Sequence, residues 1–114
     1  MDLPQIQRRI RAFRDQRDWM QFHNSKNLAI SIVIEASELL EHFQWKTLEE
    51  SAALGDNAKE QVADEIADVA IYLIELADNL NIDLSVAINA KLDKNEVKYP
   101  VEKARGNILK YDQL

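Results

Sequence analysis

Cysteine is absent from this 114-residue chain, and glycine and proline occur only twice each. Without cysteine there can be no disulfide framework and no thiolate metal site, and a reducing compartment is permitted. So few helix breakers, together with β-branched residues that are scattered rather than alternating, leave little room for sheet. Basic charge is also short: 14 Lys and Arg stand against 20 Asp and Glu, a net charge of -6. A nucleic-acid polymer calls for a basic face, so it is excluded as a partner; a small phosphorylated ligand is compatible if a metal offsets the charge. No uncharged apolar run approaches the roughly 18 residues of a membrane span. Met1 leads into polar residues rather than an apolar leader core. The expectation is a soluble cytoplasmic protein that does not bind membranes.

What remains is an all-α reading of one domain over residues 1–114. Helix one is expected from about Pro4 to Arg17, with Ile6, Ile10 and Phe13 as its apolar stripe. Asp18 to Lys26 breaks the period and gathers Trp19, Phe22 and His23 in a connection, with Asn24 or Ser25 placed to cap helix two, about Ser25 to Phe43. Gln44 to Asn57 reads as a loop with one short helical turn. Asp56 or Asn57 caps helix three, which carries Val62, Ile66, Val69, Leu73, Ile74, Ala77 and Leu80 at spacings of three and four. Asp83 caps helix four, which ends near Tyr99 before Pro100. Residues 101–114 form a polar, basic, frayed tail unless a partner or ligand orders them.

The informative stretch is Leu28 to Phe43, LAISIVIEASELLEHF. Its first half is apolar on more than one side, which suits burial against several neighbours and asks for oligomerisation in so short a chain. Into it fall Glu35, Glu38 and Glu41, three residues apart, so that successive carboxylates share a helix face about 5 to 6 Å apart at Cβ. A second apolar helix, Val62 to Leu76, sets Glu65 and Asp68 at the same spacing. Spacing alone is weak evidence. Chance would give roughly three such acid pairs in this composition, and six occur: 15/18, 35/38, 38/41, 65/68, 75/78 and 93/96. Context separates 35/38 and 65/68, which interrupt apolar runs, whereas Asp15/Asp18, Glu75/Asp78 and Asp93/Glu96 read as surface charge. Opposed across two antiparallel helices, the four carboxylates of Glu35, Glu38, Glu65 and Asp68 would converge on a hard cation. All-oxygen ligands suit Mg²⁺, with Mn²⁺ as substitute, rather than zinc. A ferritin-like di-iron site is excluded, since neither His23 nor His42 follows a Glu by three.

Glu35-x-x-Glu38 followed by Glu65-x-x-Asp68 resembles the MazG-like nucleoside triphosphate pyrophosphohydrolases, the all-α NTP pyrophosphatase superfamily. With RDWMQFHNSKNL, FQWK, DEIADVAIYL and Lys91-x-x-x-Asn95-x-x-x-Tyr99-Pro100, the likeness covers almost the whole chain and points to the short, single-domain branch that includes dCTP pyrophosphatase. The resemblance implies a four-helix bundle-like protomer assembling into a dimer of dimers, with sites at subunit interfaces. It implies Mg²⁺ on Glu35, Glu38, Glu65 and Asp68, and hydrolysis of a triphosphate to monophosphate and pyrophosphate by water at the α-phosphorus, in a house-cleaning role. Glu38, or alternatively Glu35, would be the base acting on that water. Trp19, His23 and Trp45 match the family's base pocket. Asn27, Tyr72, Lys91 and Asn95 match positions that meet sugar or phosphate, Lys98 stands where relatives often carry Arg, and Arg105, Lys110 and Tyr111 resemble a phosphate-facing tail. Ile10 replaces a pocket histidine of the animal enzymes, which implies a relaxed base preference with dCTP or dATP favoured. The competing reading is a non-catalytic helical interaction or nucleotide-sensing module whose acids merely solvate a groove.

Overall fold

Side-chain caps mark where the helices begin in the computed structural model, which describes all 114 residues. Asp2 accepts from the Gln5 amide at 3.1 Å and Pro4 sits in the first turn of α1, Leu3–Gln16. Asn24, rather than Ser25, caps α2, Ser25–Glu41, through the Asn27 amide at 2.9 Å. Thr47 and Glu50 form a reciprocal capping box on the five-residue α3, Leu48–Ala52. The longest helix, α4, spans Asp56–Asn79. Its expected side-chain cap is absent: Gly55 is the N-cap residue, and Asp56 lies inside the first turn, where its charge complements the helix dipole instead. Asp83 caps α5, Leu84–Lys98, through Val86 at 3.1 Å. The short α6, Val101–Ala104, and a 3-10 turn at Tyr111–Gln113 complete the chain, which has no strand.

Two compact units divide these elements, Met1–Asn81 and Ile82–Leu114. In the first, α4 packs against both α2 and α1. Leu28 of α2 and Val62, Ile74 and Ala77 of α4 form the buried apolar set, and Arg11 of α1 binds Asp78 of α4. In the second unit, residues 101–114, expected as a frayed tail, carry α6 and the 3-10 turn. Gly106, at φ +73°, turns the chain in the left-handed region that costs glycine little. Beyond that turn the Tyr111 ring stands edge-on to Tyr99, with centroids 6.2 Å apart.

Helix α2 departs from the expectation of burial on several sides. Only Leu28 is buried, while Ile30, Val33, Ile34 and Leu40 are exposed, Val33 to 65%. The reason is supply: within its unit α2 has α4 to pack on, and one neighbour covers one face.

Candidate active site

Helices α2 and α4 bring together three of the four expected carboxylates. One oxygen from each of Glu35, Glu38 and Glu65 lies within 4.8 Å of the others, all three side chains half-buried. Asp68, one turn beyond Glu65, lies outside that tight group and lines a cavity that Glu35 also enters. Oε2 of Glu35 and Oε2 of Glu65 are both buried and have no hydrogen-bond partner. Buried carboxylate oxygens without partners are costly.

The electrostatics register that cost. Glu35 is pushed up to about 7, first by burial, then by a hydrogen bond and repulsion from Glu38, and finally by the charges of Asp68 and Glu65. Glu65 is raised too, again by burial first and then by Glu38, against an opposing contact from His42, whose Nε2 lies 3.7 Å from Glu65 Oε1. Crowded acids with unsatisfied oxygens and no Lys or Arg paired with them fit a hard divalent cation, which would satisfy the orphaned atoms and remove the repulsion together.

Beside the cluster lies a cavity of about 440 Å³. One wall is α1, through Ile6, Arg9, Ile10, Phe13 and Arg14; the others are Trp19 and His23 from the α1–α2 connection, Glu35 from α2, and Asp68, Ile71, Tyr72 and Glu75 from α4. Turn hydrogen bonds hold the connection in shape: Trp19 N to Arg14 O at 3.0 Å, Phe22 N to Trp19 O at 2.9 Å and His23 N to Met20 O at 3.1 Å. The aromatic rings form a run, with Phe13 edge-on to Trp19 at 5.6 Å, Trp19 6.0 Å from His23, and His23 6.3 Å from Tyr72. Burial and the carboxylates of Glu35, Asp68 and Glu75 raise the Tyr72 phenol, so it remains protonated and able to donate.

Trp19, His23, Tyr72 and Ile10 thus share one pocket with Glu35 and Asp68. Other expected binding residues are placed elsewhere. Trp45 is 87% exposed after the end of α2 and is not part of this cavity wall. Asn27 is exposed in the first turn of α2, where its side chain donates to Phe22 O at 3.0 Å. Lys91, Asn95 and Lys98 belong to α5 in the second unit, where Lys91 is exposed, Asn95 is half-buried and Lys98 lies over the Tyr111 ring, 4.9 Å from its centroid.

One pocket residue runs against the sequence reading. Glu75, expected on the surface, is 3% exposed, and both its oxygens lie close to His23 Nδ1, at 2.8 and 2.9 Å. Its companion Asp78 is bound by Arg11 rather than free at the surface. Arg14 is buried between Asp15, at 2.8 Å, and Asn79, at 3.1 Å. A signal was available for Glu75. Glu65, Asp68, Tyr72, Glu75 and Asn79 follow one another at three, four, three and four, a polar stripe along one face of α4. The stronger apolar period of the same helix runs beside it.

Known proteins resemble the chain throughout. A model of the MazG-like family matches residues 30–114. The human protein dCTP pyrophosphatase 1 is 41% identical over 114 residues, covering 98% of this chain and 67% of its own length; the bovine protein of that name is 40% identical over the same span. A crystal structure of a pyrophosphatase from Archaeoglobus fulgidus has 44% identity and a TM-score of 0.82, covering 88% of this chain and 94% of that one. With the carboxylate cluster, the helical fold and these likenesses in agreement, the chain belongs to the MazG-like family.

Proposed function

We propose that this protein carries out Mg²⁺-dependent hydrolysis of nucleoside triphosphates, dCTP or dATP favoured, to monophosphate and pyrophosphate, as a house-cleaning activity. The class of enzyme is not in question: the chain is a nucleoside triphosphate pyrophosphohydrolase, as its relatives and structural neighbour indicate, and not a non-catalytic helical module. The observation that carries the finer reading is that Glu35 and Asp68 line the same cavity as Trp19, His23 and Tyr72. A cation site and a stacking pocket are therefore adjacent, as a nucleotide with its charge at one end and its aromatic ring at the other requires.

Glu35, Glu38 and Glu65 would hold the cation, with Asp68 at the edge of the set. Bound Mg²⁺ supplies charge neutralisation for the triphosphate and acidifies water. Glu38 is the residue we assign to orient the attacking water and take its proton, with Glu35 as the alternative; the oxygen attacks the α-phosphorus and pyrophosphate leaves. Trp19 offers a face for the base, worth about 1 to 3 kcal/mol per stacked base, and the Tyr72 hydroxyl can donate to sugar or phosphate. Lys91, Asn95 and Lys98 are assigned to sugar and phosphate, and Trp45 to the base. Trp45 is so exposed in one chain that this role suits a site completed by another subunit. The exposed Ile30, Val33, Ile34 and Leu40 of α2 support the dimer of dimers, because a second copy would cover them.

The deciding experiment is product analysis with a panel of dNTPs and NTPs, with and without Mg²⁺ or Mn²⁺. Monophosphate with pyrophosphate, fastest from dCTP or dATP and lost on chelation, is the expected outcome. Diphosphate with inorganic phosphate would overturn α-phosphorus attack, and turnover in chelator would overturn the metal requirement.

A further inference from the structure

Glu75 does not join the carboxylate cluster, yet it is the most deeply buried acid in the chain, with 3% of its surface exposed. Such an acid needs a partner of its own. It has one in His23, whose Nδ1 lies 2.8 and 2.9 Å from the two oxygens. One turn further along α4, Asn79 donates to the His23 carbonyl at 3.4 Å while accepting from Arg14 at 3.1 Å. Helix α4 therefore grips both the ring and the backbone of His23.

The consequence is chemical. A carboxylate accepts hydrogen bonds, so the His23 proton belongs on Nδ1, and a neutral imidazole then presents a bare Nε2 on the other side of its ring. Within the first unit that atom has no hydrogen-bond partner, and the ring lines the cavity between Trp19 and Tyr72. Taking the cavity as the nucleotide pocket, on which this inference rests, we propose that Glu75 is a positioning residue for base recognition: it holds His23 with Nε2 as an acceptor for an exocyclic amine. Cytosine and adenine carry an amine where uracil and hypoxanthine carry a carbonyl. An acceptor there pairs with the amine and faces a carbonyl oxygen as two unpaired acceptors, which discriminates through the unsatisfied group. Ile10, on the α1 wall, has no polar group with which to read the base, whereas His23 presents one.

The test reads the ring and binding rather than turnover. Histidine nitrogen NMR of the full chain with Mg²⁺, with the His23 signals identified by their loss in His23→Asn, reports which nitrogen carries the proton; dCMP and dUMP are then titrated against the same signals. The expected result is a proton on Nδ1 and dCMP binding at least about tenfold tighter than dUMP. Glu75→Gln, whose amide oxygen can still accept, keeps both. Glu75→Leu loses the tautomer and brings the dCMP to dUMP ratio toward one while Trp19 stacking persists. A proton on Nε2 in the unaltered protein, or an unchanged ratio in Glu75→Leu, would overturn the proposal, as would failure of dCMP to bind. The proposal does not fall with the pyrophosphohydrolase assay: turnover in chelator, or no preference for dCTP or dATP, with the tautomer and ratio as expected would count against the finer reading of the hydrolysis alone.

Discussion

Arg11 of α1 grips Asp78 of α4 with two parallel hydrogen bonds, Nε to Oδ2 at 2.6 Å and Nη2 to Oδ1 at 2.5 Å. Each group stabilises the ionised form of the other: the hydrogen bond and then the charge raise Arg11 and lower Asp78. The pair matters more for placement than for stability, because α1 is one wall of the cavity beside the carboxylates and this fork sets where that wall stands.

Arg11→Ala should therefore raise KM for the nucleotide several-fold with little change in kcat or in Tm, since exposed ion pairs contribute little to folding. Steady-state kinetics beside a melting curve checks this, and added salt should move the unaltered enzyme in the same direction. A large fall in Tm with unchanged KM would make the fork a folding contact instead.

The carboxylate cluster makes stability depend on pH. The folded protein holds Glu35 at about 7 against an ordinary 4.5. The fold therefore favours the neutral acid; this contribution is fully present below 4.5 and is lost as pH rises through about 7. In chelator, Tm should be higher at pH 5 than at pH 8. Mg²⁺ should reverse the order, because the cation stabilises the ionised cluster and displaces a proton on binding. Calorimetry near pH 6.5 in two buffers of different ionisation enthalpy should detect that proton, and a metal-free Tm that rises from pH 5 to pH 8 would contradict the assignment.

Replacing Glu38 separates chemistry from folding. Glu38→Gln should lower kcat by at least about 100-fold, the scale of losing a general base, with the helical signal intact. Because it removes a like charge beside Glu35 and Glu65, the variant should melt no lower than the parent in chelator. Retained turnover would remove Glu38 from the mechanism.

Trp45 gives a prediction that only a structure could sharpen. At 87% exposure it supports almost no core, so Trp45→Ala should change stability by no more than about 0.5 kcal/mol. If the side chain stacks on the base across a subunit boundary, dCMP affinity should nevertheless fall about tenfold or more. Unaltered affinity would confine Trp45 to the surface.

The apolar face of α2 tests assembly. Val33→Glu, at a position 65% exposed, should leave the protomer helical while lowering the mass found by light scattering from that of a tetramer. Activity should fall with it if a neighbour completes the site. A monomeric mass for the unaltered protein would refute the dimer of dimers.

Local chemistry was legible in the residues themselves. The caps at Asn24 and Asp83, the limits of the helices to within a residue or two, and the convergence of Glu35, Glu38 and Glu65 all follow from spacing and side-chain type, which act over one or two helical turns. Short-range physics of that kind is written along the chain. What tertiary structure alone decided are pairings between distant residues. Nothing local marks His23 as the partner of Glu75, 52 positions away, or places Arg14 beneath Asn79. Nor does apolar content say how much of α2 one copy can cover. An acid in a helix is soluble surface or buried anchor according to what the neighbouring helix brings to it, and that is settled only when the helices meet.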